Sequence, residues 1–180
     1  MAARPWWRVC RRTFSPRSGS AGAIRITTGI ACERTGSAGG STARGRRFAL
    51  ACPTSLNITW SITGPDTDAA LLQKVLGYAA GRWNIDRSRI LLTGLSDGAT
   101  YALKRVLDAE TPFTHVAAFS GVLAPFDLSH AKGRRIYWVH GAKDWMFPAW
   151  RARAGEKELA AAGADVTLEI IPDLYHAYAR

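Results

Sequence analysis

From about Phe48 onward, apolar and polar positions follow two alternating rhythms. Short apolar runs bounded by Gly, Pro and polar residues read as buried strands, and longer stretches with a period near 3.6 read as helices. The strand-like runs are Phe48–Ala51, Arg89–Thr93, His115–Ser120, Ile136–His140 and Val166–Ile171. Helical periodicity covers Asp66–Arg82, Ala99–Leu107 and Pro148–Ala162. Strands that alternate with helices predict an α/β fold with a mostly parallel sheet, helices on its faces and right-handed crossovers. No run approaches the ~20 apolar residues that a membrane-spanning helix needs.

Residues 1–47 break this rhythm. They hold ten arginines and a single acid, Glu33, and so carry +9 of the chain's net +10, whereas residues 48–180 carry only +1. The segment is rich in Arg, Gly, Ser, Ala and Thr and shows little periodicity, a composition that cannot bury enough apolar surface to offset ordering. The expected organisation is therefore a disordered or misassigned segment over 1–47 and a partial α/β domain over 48–180. The sheet of that domain is expected to lack its first strands. Other readings of the segment are a transit-like peptide, a basic arm for nucleic acid or anionic lipid, and a twin-arginine-like leader at Arg11-Arg12 that lacks the apolar stretch such leaders carry. Aromatic residues interleave with its charge only at Trp6, Trp7 and Phe14, so no specific nucleic-acid partner is expected. At 180 residues, 47% of them hydrophobic, the length and composition suit one globular domain.

The chemistry is concentrated in Gly94-Leu95-Ser96-Asp97-Gly98. A G-x-S-x-G placed between a strand and a helix is a nucleophile elbow, the sharp turn that lifts a serine above the sheet edge. Gly94 and Gly98 lack a Cβ and suit the crowding of strand against helix. The turn sets Ser96 at a helix N-terminus, where free N–H groups point outward and the dipole favours negative charge. The backbone N–H of Asp97 is then the expected oxyanion donor, while its side chain caps or complements the helix start.

A serine hydroxyl needs a base, and the base an orienting acid. Asp144 is the candidate acid. It follows the strand-like Arg135–Gly141 and so falls at the sheet edge that carries Ser96, where open α/β sheets bind ligands. Asp127 is a second-ranked rival, because Phe126-Asp127-Leu128-Ser129 reads as an ordinary helix or turn start. His176 is the candidate base, on a loop after the last strand and Pro172-Asp173. His140 lies within a strand pattern and reads as a packed or hydrogen-bonded neighbour of the site. His115 opens a strand and His130 lies in a polar loop; neither has the right place in the order Ser, acid, His. Trp145, Phe147 and Trp150 read either as an apolar acyl pocket or, with slight preference, as packing at a helix start. Glu156 and Glu158 belong to a solvated helix face.

No cofactor or metal is expected. Cys10, Cys32 and Cys52 have neither metal-ligand spacing nor a C-x-x-C pair, and their odd number gives no disulfide framework. There is no P-loop, no G-x-G-x-x-G after a strand and no H-E-x-x-H. A cytoplasmic protein is the default expectation.

From Phe48 to the end the chain resembles the α/β-hydrolase superfamily, in particular phospholipase/carboxylesterase-like and polyhydroxybutyrate-depolymerase-like esterases. The resemblance is carried by Thr59-Trp60, by Asp66-Thr67-Asp68-Ala69-Ala70-Leu71-Leu72, by Tyr78–Trp83 with Asn84–Arg89, by the elbow, by His140-Gly141-Ala142-Lys143-Asp144 and by Leu174-Tyr175-His176. It implies a serine hydrolase acting on a small-molecule carboxylic ester through Ser96, His176 and Asp144 and an acyl-enzyme. It also implies a second oxyanion donor on a His-Gly type loop upstream of Phe48, and residues 1–47 show no such segment. Only four residues follow His176, where the family adds a helix. A truncated, inactive hydrolase-fold remnant is the alternative expectation.

Overall fold

A computed structural model describes residues 7–9, 22–28 and 48–177. Seven strands form one sheet: β1 (Trp7–Val9), β2 (Gly22–Thr28), β3 (Phe48–Pro53), β4 (Ile85–Leu95), β5 (His115–Phe119), β6 (Arg135–Gly141) and β7 (Asp165–Ile171). Helices α1 (Thr67–Arg82), α2 (Asp97–Val106) and α3 (Ala149–Ala161) accompany it. The spatial order is β1-β3-β2-β4-β5-β6-β7. All neighbours are parallel except β1 and β3, which run antiparallel. The predicted α/β fold, a mostly parallel sheet flanked by helices, is thus the observed one.

Two pieces of the segment expected to be disordered are strands instead. β2 pairs with β3 on one side and β4 on the other, and Ile26 is fully buried in the core. The physical signal was local: Ile24, Ile26, Thr27 and Thr28 are β-branched and suit a pleated, buried surface. Arginine- and glycine-rich surroundings obscured it. The remainder of 1–47 lies outside the described residues. Cys52 is disulfide-bonded, contrary to the expectation of no disulfide framework, and its partner lies outside the described residues.

The core forms on the sheet faces. Leu71, Leu72, Val75 and Ala79 of α1, Ala99, Ala102, Leu103 and Val106 of α2, and Ala152 and Leu159 of α3 are all buried. These spacings of three and four place one apolar stripe per helix against the sheet. Helix α2 packs on β4 and β5, and α3 on β6 and β7. Asp66 caps α1, accepting from Ala69 N at 3.0 Å, and the same carboxylate accepts from Tyr101 Oη at 2.7 Å and pairs with Arg105. Burial, reinforced by that carboxylate, pushes the Tyr101 phenol far above its ordinary value. Asp68, fully buried, accepts from Leu56 N and from Ser61 N and Oγ, which fixes the loop between β3 and α1. Among the described residues no helix is long and apolar enough to cross a membrane.

Candidate active site

Ser96 sits between β4 and α2 with φ 57° and ψ −120°, a conformation that non-glycine residues rarely adopt. Strain of this kind costs about 1–3 kcal/mol and persists only where the surroundings enforce it. Here the enforcement is visible. Ser96 N–H donates to Phe119 O at 3.0 Å, and Ser96 O accepts from Thr100 N at 3.0 Å and Thr100 Oγ1 at 3.1 Å. Ser96 occupies the N-cap position but makes no side-chain capping bond, so its hydroxyl is not spent on the helix. Asp97 N–H heads α2, where no intrahelical acceptor is in reach. The Asp97 carboxylate accepts from Gly98 N at 2.8 Å, as expected of a residue that complements the helix start, and also from Trp60 N at 3.2 Å. That second bond, which ties the loop before α1 to the elbow, has no counterpart in the sequence pattern.

Asp144 and His176 meet at the same sheet edge. His176 Nδ1 lies 2.9 Å from Asp144 Oδ2. A carboxylate only accepts, so Nδ1 is the donor, and in the neutral imidazole the lone pair then lies on Nε2. That Nε2 is buried and has no hydrogen-bond partner among the described residues, and Ser96 Oγ does not close on it. Free enzymes commonly leave this contact long.

The acid is held by a dense set of donors. Asp144 Oδ1 accepts from Met146 N at 2.9 Å and Phe147 N at 2.8 Å, and its side chain is fully buried. Burial alone would push its carboxyl up, but the bonds from Phe147 N–H, His176 and Met146 N–H outweigh it, and the acid titrates below its ordinary value. His140, also fully buried, donates from Nε2 to Phe147 O at 2.7 Å, and the same nitrogen stands 3.5 Å from Asp144 Oδ2. It is the hydrogen-bonded neighbour its sequence position suggested. Gly141, between His140 and Ala142, is required by space: a Cβ there would fall 2.2 Å from Leu174 O.

The rival residues lie elsewhere. Asp127 accepts from Ser129 N and Oγ in an exposed turn. His115 lies at the opposite end of the sheet from Ser96, beside an open recess of about 840 Å³ lined by Ser88, Arg89, Arg134 and Arg135. Burial and the two neighbouring guanidiniums, Arg135 and Arg89, lower the His115 pKa. Near His176 the aromatic residues divide. Phe147 meets the imidazole edge-on at 5.4 Å and Trp145 is tilted at 6.4 Å. Trp145 and Trp150 are 73% and 67% exposed, so helix-start packing does not account for them. β2 ends at Thr28, paired with Gly94 of the elbow. The stretch that follows it, residues 29–47, lies outside the described residues.

Residues 66–180, well over half of the chain, match the family model described as phospholipase/carboxylesterase. The chain belongs to the phospholipase/carboxylesterase family. It is 34% identical over 86 residues to esterase YpfH of Escherichia coli (strain K12), a stretch covering 48% of this chain and 37% of that protein. Solved structures share the fold. Esterase PE8 superposes with a TM-score of 0.70 at 19% identity, covering 91% of this chain and 88% of its own. Zea mays acyl-protein thioesterase 2 gives 0.67 at 16% identity, covering 96% and 92%. Ser96, Asp144 and His176 all lie within the matched residues.

Proposed function

We propose that the protein is a serine hydrolase that cleaves carboxylic esters of small molecules. The observation that carries this reading is a strained serine at a strand-to-helix turn, on the same sheet edge as a buried Asp144–His176 pair whose free nitrogen is Nε2. Ser96 Oγ attacks the ester carbonyl carbon while His176 Nε2 takes its proton. Asp144 keeps the imidazole in the required tautomer and stabilises the imidazolium that forms. The Asp97 N–H donates to the oxyanion of the tetrahedral intermediate at the positive end of α2. Collapse breaks the carbonyl carbon–alkoxy bond, and Nε2–H protonates the departing alcohol. Water, deprotonated by the same nitrogen, then hydrolyses the acyl-enzyme to the carboxylic acid and free Ser96. Exposed Trp145 and, closer to the imidazole, Phe147 offer apolar surface beside His176 for the acyl or alcohol group.

Fluorophosphonate labelling and turnover of p-nitrophenyl esters test the reading. Wild type is expected to label and turn over, and Ser96→Ala to lose labelling and about 10⁴-fold or more of the rate. Equal labelling of Ser96→Ala, or an inert wild type, sinks it; the latter outcome favours the inactive-remnant alternative.

A further inference from the structure

Among the described residues only two non-glycine residues have positive φ: Ser96 and Ser120. The second has no role in the reaction above, yet it is fully buried and adopts φ 48° directly after β5. Glycine would take that conformation freely, so a serine there points to its hydroxyl. The hydroxyl has a specific partner: Ser120 Oγ donates to Ala177 O at 3.2 Å, on the residue next to His176. Its N–H donates to Val139 O at 2.9 Å, which fixes the residue against β6.

The preceding residue makes the arrangement informative. Phe119 O accepts the N–H of Ser96. The dipeptide Phe119-Ser120 thus touches the nucleophile turn with one residue and the histidine loop with the next. Gly121 and Val122 are clamped to the elbow as well. Val122 N donates to Thr100 Oγ1, which itself donates to Ser96 O. A Cβ on Gly121 would fall 2.7 Å from Ala99 Cβ, so this segment lies directly on the first turn of α2. On the nucleophile side the segment is therefore fixed by several bonds. On the histidine side it is joined through Ser120 Oγ.

We infer that Ser120 is a positioning residue, a latch that sets the separation of His176 from Ser96 by holding the histidine loop to the segment on which the elbow rests. This rests on the proposed roles of Ser96 and His176. The latch acts on geometry and not on substrate, so its loss lowers kcat and leaves KM unchanged.

Ser120→Gly and Ser120→Ala separate this role from folding. Both remove the hydroxyl, but only glycine relieves the backbone strain. The latch predicts about a tenfold loss of kcat in both variants, with unchanged KM and with Ser120→Gly melting at or above the wild-type temperature. Amide hydrogen exchange over residues 172–177 of the full chain is expected to rise at least tenfold in both, while residues 96–103 keep wild-type protection. Wild-type kcat in Ser120→Gly, or wild-type exchange over 172–177, overturns the latch. The exchange measurement does not depend on turnover. An inert wild type with loosened exchange in the variants would therefore remove the proposed reaction and leave the tether standing.

Discussion

The turn that carries Ser96 is fixed by backbone groups within a few residues and by the neighbouring strand, whereas the loop that carries His176 is held from several separate elements. Ser96 is bonded through its N–H to Phe119 and through its carbonyl to Thr100. His176 depends on Asp144, 32 residues earlier, and its loop on Ser120, 57 residues before Ala177. Backbone bonds add to this: Lys143 N donates to Leu174 O and Ala142 N to Ile171 O. The first half of the site is thus tied within its own turn and to one adjacent strand, and the second only where several elements of the assembled sheet meet. Fewer distant substitutions reach the first than the second.

The largest expected effect strikes the assembled half. Asp144→Asn keeps the size of the side chain but presents an amide to His176, and it no longer fixes the proton on Nδ1. Where the same exchange is known in a serine protease, kcat falls about 10⁴-fold. A comparable fall is expected here, with Ser96 still at the elbow and the melting temperature lowered. Turnover of a p-nitrophenyl ester alongside thermal melting checks it; a loss below tenfold would show that Asp144 does not orient the base.

Next comes Gly141→Ala. The added methyl group would meet Leu174 O at 2.2 Å and Tyr175 O at 2.7 Å, both backbone atoms that cannot swing aside. The loop must move, and His176 with it. Overpacking of this kind costs about 1–3 kcal/mol, and a displacement near 1 Å at a reacting group costs on the order of 10²-fold in rate. Denaturant unfolding and kcat are the measurements. Wild-type rate with an intact fold would mean that the loop has slack, which would break the contrast with the elbow.

The same division decides what was legible in the sequence. Gly94–Gly98 between an apolar run and a helical one announces a local turn, and that turn is where the run predicted it. The strand and helix rhythm after Phe48 likewise reproduces itself, because each element buries one apolar face. β2 carries a local cue in its β-branched Ile24, Ile26, Thr27 and Thr28, which the surrounding arginines and glycines mask, and its placement between β3 and β4 is a pairing property that the segment alone does not report. Trp60 N on Asp97 and Ser120 Oγ on Ala177 were equally invisible, since each joins residues far apart in the chain. Asp144 and His176 could be nominated from their places after strands. Their contact, and the burial of Nε2, required the assembled edge.

Acid gives a smaller and graded test. The Asp144 carboxyl titrates below its ordinary 3.8 because the fold prefers its charged form. Its contribution to stability is therefore complete above the unfolded-state value and is lost as pH falls through the lower folded-state value. Below about pH 4, hydrogen exchange over residues 172–177 is expected to rise before that over 96–103 does. Asp144→Asn should flatten this acid limb. Simultaneous loosening of both segments would show that the two halves of the site open as one unit.

The smallest effect probes the elbow. Asp97→Ala keeps the backbone N–H but removes the acceptor of Trp60 N, a partly buried bond at 3.2 Å, and of Gly98 N at 2.8 Å. Lost bonds of this kind cost about 1 kcal/mol each, so about 2 kcal/mol together. Trp60 stacks on Tyr101 at 5.1 Å, so the loop before α1 retains a second attachment and should stay in place. Urea unfolding is expected to show a drop near that size with an unchanged slope. The elbow's strain is enforced by Phe119 O and by the first turn of α2, neither of which Asp97→Ala removes. A loss of several kcal/mol would therefore mean that the turn at Ser96 also leans on a distant tether, and that Ser96 is positioned by assembly as much as His176 is.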